Sequence, residues 1–135
     1  MNGKNEISMV MRFVIDTNVI IDVLNGKIDL ASFLANFPEC ELYINPIIKI
    51  ESLAKPDITD TEETEARTLL DALSLREIDN LTCETAIQIR RDKNLRLPDA
   101  LIAASAIVLN ATVLSNDSHL RDYQRTGYNA LARVK

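Results

Sequence analysis

Histidine is almost absent from this chain: 135 residues include one, His119. That excludes nucleases built on a histidine acid–base pair and zinc sites built from several imidazoles, and it leaves a Ser-His-Asp triad only through His119 itself. Cysteine is nearly as scarce. Cys40 and Cys83 stand far apart and fit neither a zinc spacing nor a Cys-x-x-Cys pair, so they read as free thiols of a reducing compartment, which favours the cytoplasm. Long apolar runs are missing: residues 100–109 form the longest, broken by Ser105, well short of the ~20 residues that span a bilayer, and a soluble protein is expected. Positive charge is in deficit. With 15 Lys and Arg against 20 Asp and Glu, the formal net charge is −5, which argues against coating nucleic acid through bulk charge. Any contact with nucleic acid has to rest on a local basic patch.

What is present is a chain with 47% hydrophobic residues, enough to bury one core without disulfide or metal staples. Residues 1–8 are polar and lack the apolar stretch of a secretory signal, so residues 1–11 read as an N-terminal extension and residues 12–135 as a single domain. Short β-rich runs at 12–15, 41–44, 75–78, 111–114 and 130–134 alternate with helical stretches. That alternation predicts an α/β fold with a mainly parallel sheet, whose ligands bind beyond the carboxyl ends of the strands. Polar residues gather there: the runs close on Val14-Ile15-Asp16, Tyr43-Ile44-Asn45, Glu77-Ile78-Asp79 and Leu114-Ser115-Asn116-Asp117. Between them, residues 61–74 place Ala66, Leu69, Leu70 and Leu73 at helical spacing, with Asp60 and Glu63 as the expected cap. Residues 99–110 are apolar on nearly every side, the mark of a helix buried between layers.

Carboxylates are the remaining chemistry. Asp16, in Asp16-Thr17-Asn18, follows the first strand and faces the sheet edge, although capping of the next helix accounts for it equally well. Glu51 lies in an expected helix 46–55 and shares a face with Ile47 and Ala54, beside Ile50, so it is expected to point inward. An unpartnered buried carboxylate costs several kcal/mol, roughly, and therefore has to be protonated, paired with a cation or bound to metal. Asp99 follows Pro98 and opens the apolar helix, where the helix dipole alone favours an acid. Asp117 fits a turn or a cap. Taken singly, three of the four have structural explanations. Taken together, a parallel sheet would bring all four to one edge, where each like-charged pair at about 5 Å repels by roughly 3 kcal/mol at an effective dielectric of about 20. Divalent cations relieve that repulsion, and an all-oxygen set suits Mg²⁺ or Mn²⁺ rather than zinc.

The segments Val14-Ile15-Asp16-Thr17-Asn18-Val19-Ile20-Ile21-Asp22, the Glu51 helix, Leu97-Pro98-Asp99-Ala100-Leu101-Ile102-Ala103-Ala104 and Leu114-Ser115-Asn116-Asp117 resemble the four acidic motifs of PIN domains, VapC-type toxins above all. The resemblance implies a three-layer α/β/α sandwich with about five strands, and a metal-dependent endoribonuclease acting as the toxin of a toxin–antitoxin pair. It implies Mg²⁺ or Mn²⁺ on Asp16, Glu51, Asp99 and Asp117, with Asn18 and Ser115 supporting the acids or the substrate. It further implies an RNA substrate, an antitoxin that covers the acidic pocket, and a homodimer. The chain departs from the family where an aromatic commonly follows the fourth acid; here stand His119-Leu120, and Asp122 is an alternative to Asp117.

For approach to RNA, the local run from Arg90 to Arg96 and the later Arg121, Arg125, Arg133 and Lys135 offer positive charge, although a solvated helix face explains such residues too. A haloacid-dehalogenase-type phosphohydrolase would want a second Asp where Asn18 stands, and a phosphoreceiver would want paired acids after the first strand. The competing reading within the resemblance is a catalytically degenerate PIN domain that binds RNA or protein.

Overall fold

A computed structural model describes residues 10–116. Four parallel strands form one sheet: β1 (Met11–Ile15), β2 (Cys40–Ile44), β3 (Ser74–Leu75) and β4 (Thr112–Leu114), in the order β3-β2-β1-β4. The helices are α1 (Thr17–Leu24), α2 (Leu30–Leu34), α3 (Pro46–Leu53), α4 (Asp60–Asp71), α5 (Asn80–Lys93) and α6 (Leu97–Leu109). The expected fifth strand at 130–134 lies outside the described residues, as do Asp117, His119 and Asp122.

Phe13, Val14 and Ile15 alternate between the faces of β1 and all are buried, so both faces of the sheet are covered and the three-layer sandwich follows. On one face Phe13 meets Phe33 of α2 and Phe37 just beyond it, with ring centroids 6.1 and 5.1 Å away in edge-on contact. The apolar helix foreseen at 99–110 is α6, with eight buried residues, and it packs mainly on α5. Both helices end on an asparagine in the left-handed conformation, Asn94 and Asn110, which the short polar side chain tolerates.

Several boundaries differ from the sequence reading, among them that α3 ends at Leu53 and α4 at Asp71. The third strand is only Ser74–Leu75: Leu75 pairs with Ile44, the last residue of β2, so residues 76–78 run past the end of that strand. The cap of α4 is Thr59 with Glu62, a reciprocal capping box one residue upstream of the expected Asp60 and Glu63. Asp99 does not open α6: Arg96 is its N-cap and Asp99 its third residue.

Strand order places the site. From β1 the chain steps outward to β2 and β3 on one side, then returns through α6 to add β4 on the other. The direction reverses between β1 and β4, and the crevice at their carboxyl ends is the switch point of the sheet. Asp16 and Ser115 follow those two strands.

Candidate active site

Asp16 leaves β1 and caps α1. Its backbone N–H donates to the Leu114 carbonyl at 3.0 Å, continuing the pairing with β4, while its Oδ1 accepts from the Thr17 N–H at 2.7 Å. The capping explanation is thus correct, and it does not exhaust the residue. The Ser115 hydroxyl donates a short hydrogen bond to Oδ2 of Asp16, and both residues are buried. Asn18 holds the same corner, donating from Nδ2 to Ser115 Oγ at 3.3 Å and accepting the Asn116 N–H on Oδ1 at 3.2 Å. Asn116 in turn reaches Oδ2 of Asp22 at 3.3 Å. The turn after β1 and the end of β4 are therefore stitched together by side chains rather than by packing alone.

α3 begins at Asn45, which is fully buried at the end of β2. Its Oδ1 caps the Ile48 N–H at 3.0 Å, and its Nδ2 donates to Ser105 Oγ at 3.0 Å and to the Leu101 carbonyl at 3.3 Å, both on α6. That amide locks α3 to α6, the helices carrying Glu51 and Asp99.

Glu51 is exposed, against the expectation that it points inward. α3 buries the Ile48–Ser52 stripe, and Ile50 is left 59% exposed. An apolar run with Ile at 47, 48 and 50 offers two possible inner faces, and the one chosen sets Glu51 on the flank toward α1, where its Oε1 accepts the Thr17 hydroxyl at 2.7 Å. The partner is a hydroxyl, not the cation that a buried glutamate would have required.

Asp99 is 4% exposed and pairs with Arg96, whose Nε and Nη2 donate to Oδ2 and Oδ1 at 3.1 and 3.4 Å. Asp16, Glu51 and Asp99 line one cleft of about 280 Å³, with Thr17, Asn18 and Arg96 around it. Three of the four expected acids meet there. Asp117, the fourth, lies outside the described residues. Asp79, at the end of the third predicted strand, instead caps α5 through the Thr82 N–H.

Three residues that line this cleft, Thr17, Ile21 and Arg96, have no site role in the sequence pattern. In sequence Thr17 reads as part of a capping motif, and its meeting with Glu51 follows only from the packing of α1 against α3. In sequence Arg96 reads as one of the basic residues for RNA approach; its i, i+3 spacing to Asp99 is the local signal that pairs the two.

Among the described residues, no three His, Cys, Asp or Glu side chains form a ready metal cage. The donor chemistry nonetheless fits a hard cation: all three acids present oxygen, and two are buried carboxylates whose charge needs an opposite charge nearby. No helix of the described residues is long and apolar enough to cross a membrane.

Fold and cleft together define a parallel α/β domain that gathers carboxylates at its switch point. Within that class, residues 13–125 match the PIN domain model, and the chain belongs to the PIN domain family. No curated protein matches the chain in sequence. Solved structures share the fold. A chain of a toxin–antitoxin complex from Klebsiella pneumoniae superposes with a TM-score of 0.72 at 22% identity, over 87% of this chain and 95% of that one. VapBC2 from Rickettsia felis, bound to a DNA fragment from its promoter, gives 0.68 at 20% identity over 79% and 88%. PAE2754 from Pyrobaculum aerophilum gives 0.66 at 13% identity over 92% and 91%.

Proposed function

We propose that this chain is a metal-dependent endoribonuclease, the toxin of a toxin–antitoxin pair, acting in the cytoplasm. The observation that carries the reading is the meeting of Asp16, Glu51 and Asp99 in one cleft at the switch point of a PIN domain. The solved complexes with the same fold support the toxin assignment and an antitoxin partner. By the sequence resemblance, Asp117 completes the set and the protein works as a homodimer.

A Mg²⁺ or Mn²⁺ ion bound by these acids would activate water for attack on an RNA phosphodiester and offset the charge that develops on the phosphate. The chain's own residues set the stage. Ser115 and the α1 N-terminus fix the two oxygens of Asp16, so the carboxylate is oriented before anything binds. Thr17 holds one oxygen of Glu51 at the rim, where the carboxylate can orient water or share in binding the cation. Asn45 fixes the spacing between the Glu51 and Asp99 helices.

The test is cleavage of a structured RNA pool by purified protein in Mg²⁺, Mn²⁺ or EDTA, with Asp16→Asn and Asp99→Asn proteins alongside. Cutting by the parent alone, abolished by EDTA, supports the nuclease. Equal cutting by all three exposes a contaminant, and the absence of metal-stimulated cutting moves the reading to a binding module.

A further inference from the structure

Among the described residues that line the acidic cleft, Arg96 carries the positive charge. Its position calls for another residue type. N-cap residues ordinarily carry a side-chain acceptor, whereas Arg96 makes no side-chain cap bond, so capping does not account for it. The side chain turns to Asp99 instead and lays its fork along both carboxylate oxygens, at 3.1 and 3.4 Å.

The pair is lopsided. The Asp99 side chain is 6% exposed and that of Arg96 72%. A buried carboxylate left alone keeps its full desolvation penalty, whereas an exposed guanidinium regains water when it leaves. Ionised Asp99 therefore calls for a cation beside it, but Arg96 is not bound to be that cation.

We propose that Arg96 is a counter-ion for Asp99 while no divalent cation is bound, and that it passes to the substrate phosphodiester when a divalent cation takes Asp99. The inference rests on the metal-nuclease reading above. A divalent charge on the carboxylate repels the adjacent guanidinium, and the planar fork that fits a carboxylate fits two phosphate oxygens equally well. High exposure lets the side chain swing without unpacking the core. The acidic chain thereby gains, inside its own cleft, the local positive charge that an RNA backbone requires.

The role has a signature that a merely structural residue lacks: Arg96 opposes metal binding and assists substrate. The experiment is calorimetric titration of Mn²⁺ into the parent, Arg96→Ala, Arg96→Lys and Arg91→Ala, at one ionic strength, followed by cleavage efficiency of each at saturating Mn²⁺. Arg91→Ala controls for loss of a positive charge from the same basic run without the Asp99 contact. Arg96→Ala is expected to bind Mn²⁺ about threefold or more tightly than the parent. Its cleavage efficiency is expected to fall about tenfold or more. Arg96→Lys, which keeps the charge and loses the fork, is expected to lie between, and Arg91→Ala to stay within about twofold of the parent in Mn²⁺ affinity.

Mn²⁺ binding by Arg96→Ala that is equal to or weaker than the parent's overturns the inference, as does an equal tightening in Arg91→Ala. Tighter Mn²⁺ with unimpaired cleavage overturns the transfer to phosphate. A parent that binds no Mn²⁺ fails at the earlier step, removing the metal reading and this inference with it, and is distinguished from the other outcomes by the parent titration alone.

Discussion

The hydroxyl of Thr17 donates to Oε1 of Glu51 at 2.7 Å, joining the first turn of α1 to α3 across the mouth of the acidic cleft. The two residues are 34 apart in sequence, and Glu51 is exposed, so without this bond its flexible side chain would sample many rotamers. Thr17→Val keeps the β-branched shape and removes the donor. Cleavage is expected to fall about tenfold, the lower end of what loss of an orienting partner costs. Because the bond is exposed, stability should change by less than about 1 kcal/mol. Steady-state kinetics with a thermal melt checks both, and a large loss of stability with unchanged activity would contradict a positioning role.

Ser115 makes a comparable bond in a different setting. Its hydroxyl is fully buried, donates to Asp16 and accepts from Asn18, so it joins two polar side chains that bracket the β1–α1 turn. Ser115→Ala deletes that link and leaves buried polar atoms short of a partner, at a cost of about 1–3 kcal/mol, with activity down by about tenfold or more. Urea unfolding and cleavage assays read the two effects. Ser115→Thr, which restores the hydroxyl with one added methyl, should recover more activity than stability, since the site has little spare room.

The sequence made legible those features that obey a local rule. Alternating runs bounded by Asp and Asn located three of the strands within a residue, and the segment 99–110, apolar on nearly every side, announced a buried helix. Switch-point logic alone brought Asp16 and Asp99 together. What it misplaced depends on partners far along the chain. Whether Glu51 faces in or out depends on which stripe of α3 is buried, and that depends on packing against distant elements; one such contact is Asn45, which caps α3 and bonds to Ser105, 60 residues away. The third strand stops early because its register runs past Ile44, the end of its neighbour, and no pattern within residues 75–78 encodes that. The Arg96–Asp99 pair is the exception: it is local, and its i, i+3 spacing is masked by the basic run around it.

Acid should weaken the fold through its caps. Asp79 accepts from the Thr82 N–H at 2.9 Å and the Thr82 hydroxyl at 2.7 Å, with Arg76 nearby, and its carboxyl is held below the ordinary value of 3.8, chiefly by the backbone bond. Asp29 and Glu62, at the starts of α2 and α4, are lowered for the same kind of reason. A group whose pKa is lower in the folded state binds its proton more readily when unfolded. Its contribution is therefore complete above the ordinary value and disappears as pH falls through that value toward the lowered one. Melting temperature should decline from about pH 5 downward. Asp79→Asn retains a competent cap and loses the titration, so its decline should be shallower than the parent's. Parallel slopes for the two proteins would show that Asp79 does not contribute.

Ser52 gives the opposite kind of prediction, a substitution that should help. It lies on the buried stripe of α3, 9% exposed, and its hydroxyl has no hydrogen-bond partner among the described residues. A buried hydroxyl without a partner has lost its water and gained nothing in return, and serine also favours helix less than alanine does. The residue adjoins Glu51 but does not itself line the acidic cleft, so removing its hydroxyl leaves the Thr17–Glu51 bond and the cleft's lining in place. Ser52→Ala is expected to raise stability by about 1 kcal/mol with cleavage unchanged within about twofold, because it deletes an unsatisfied group and opens a void no larger than one oxygen. Urea unfolding measures the first and the RNA assay the second. A loss of stability would mean that the hydroxyl is satisfied in solution, most simply by water entering from the neighbouring pocket of about 250 Å³ that Ser52 lines.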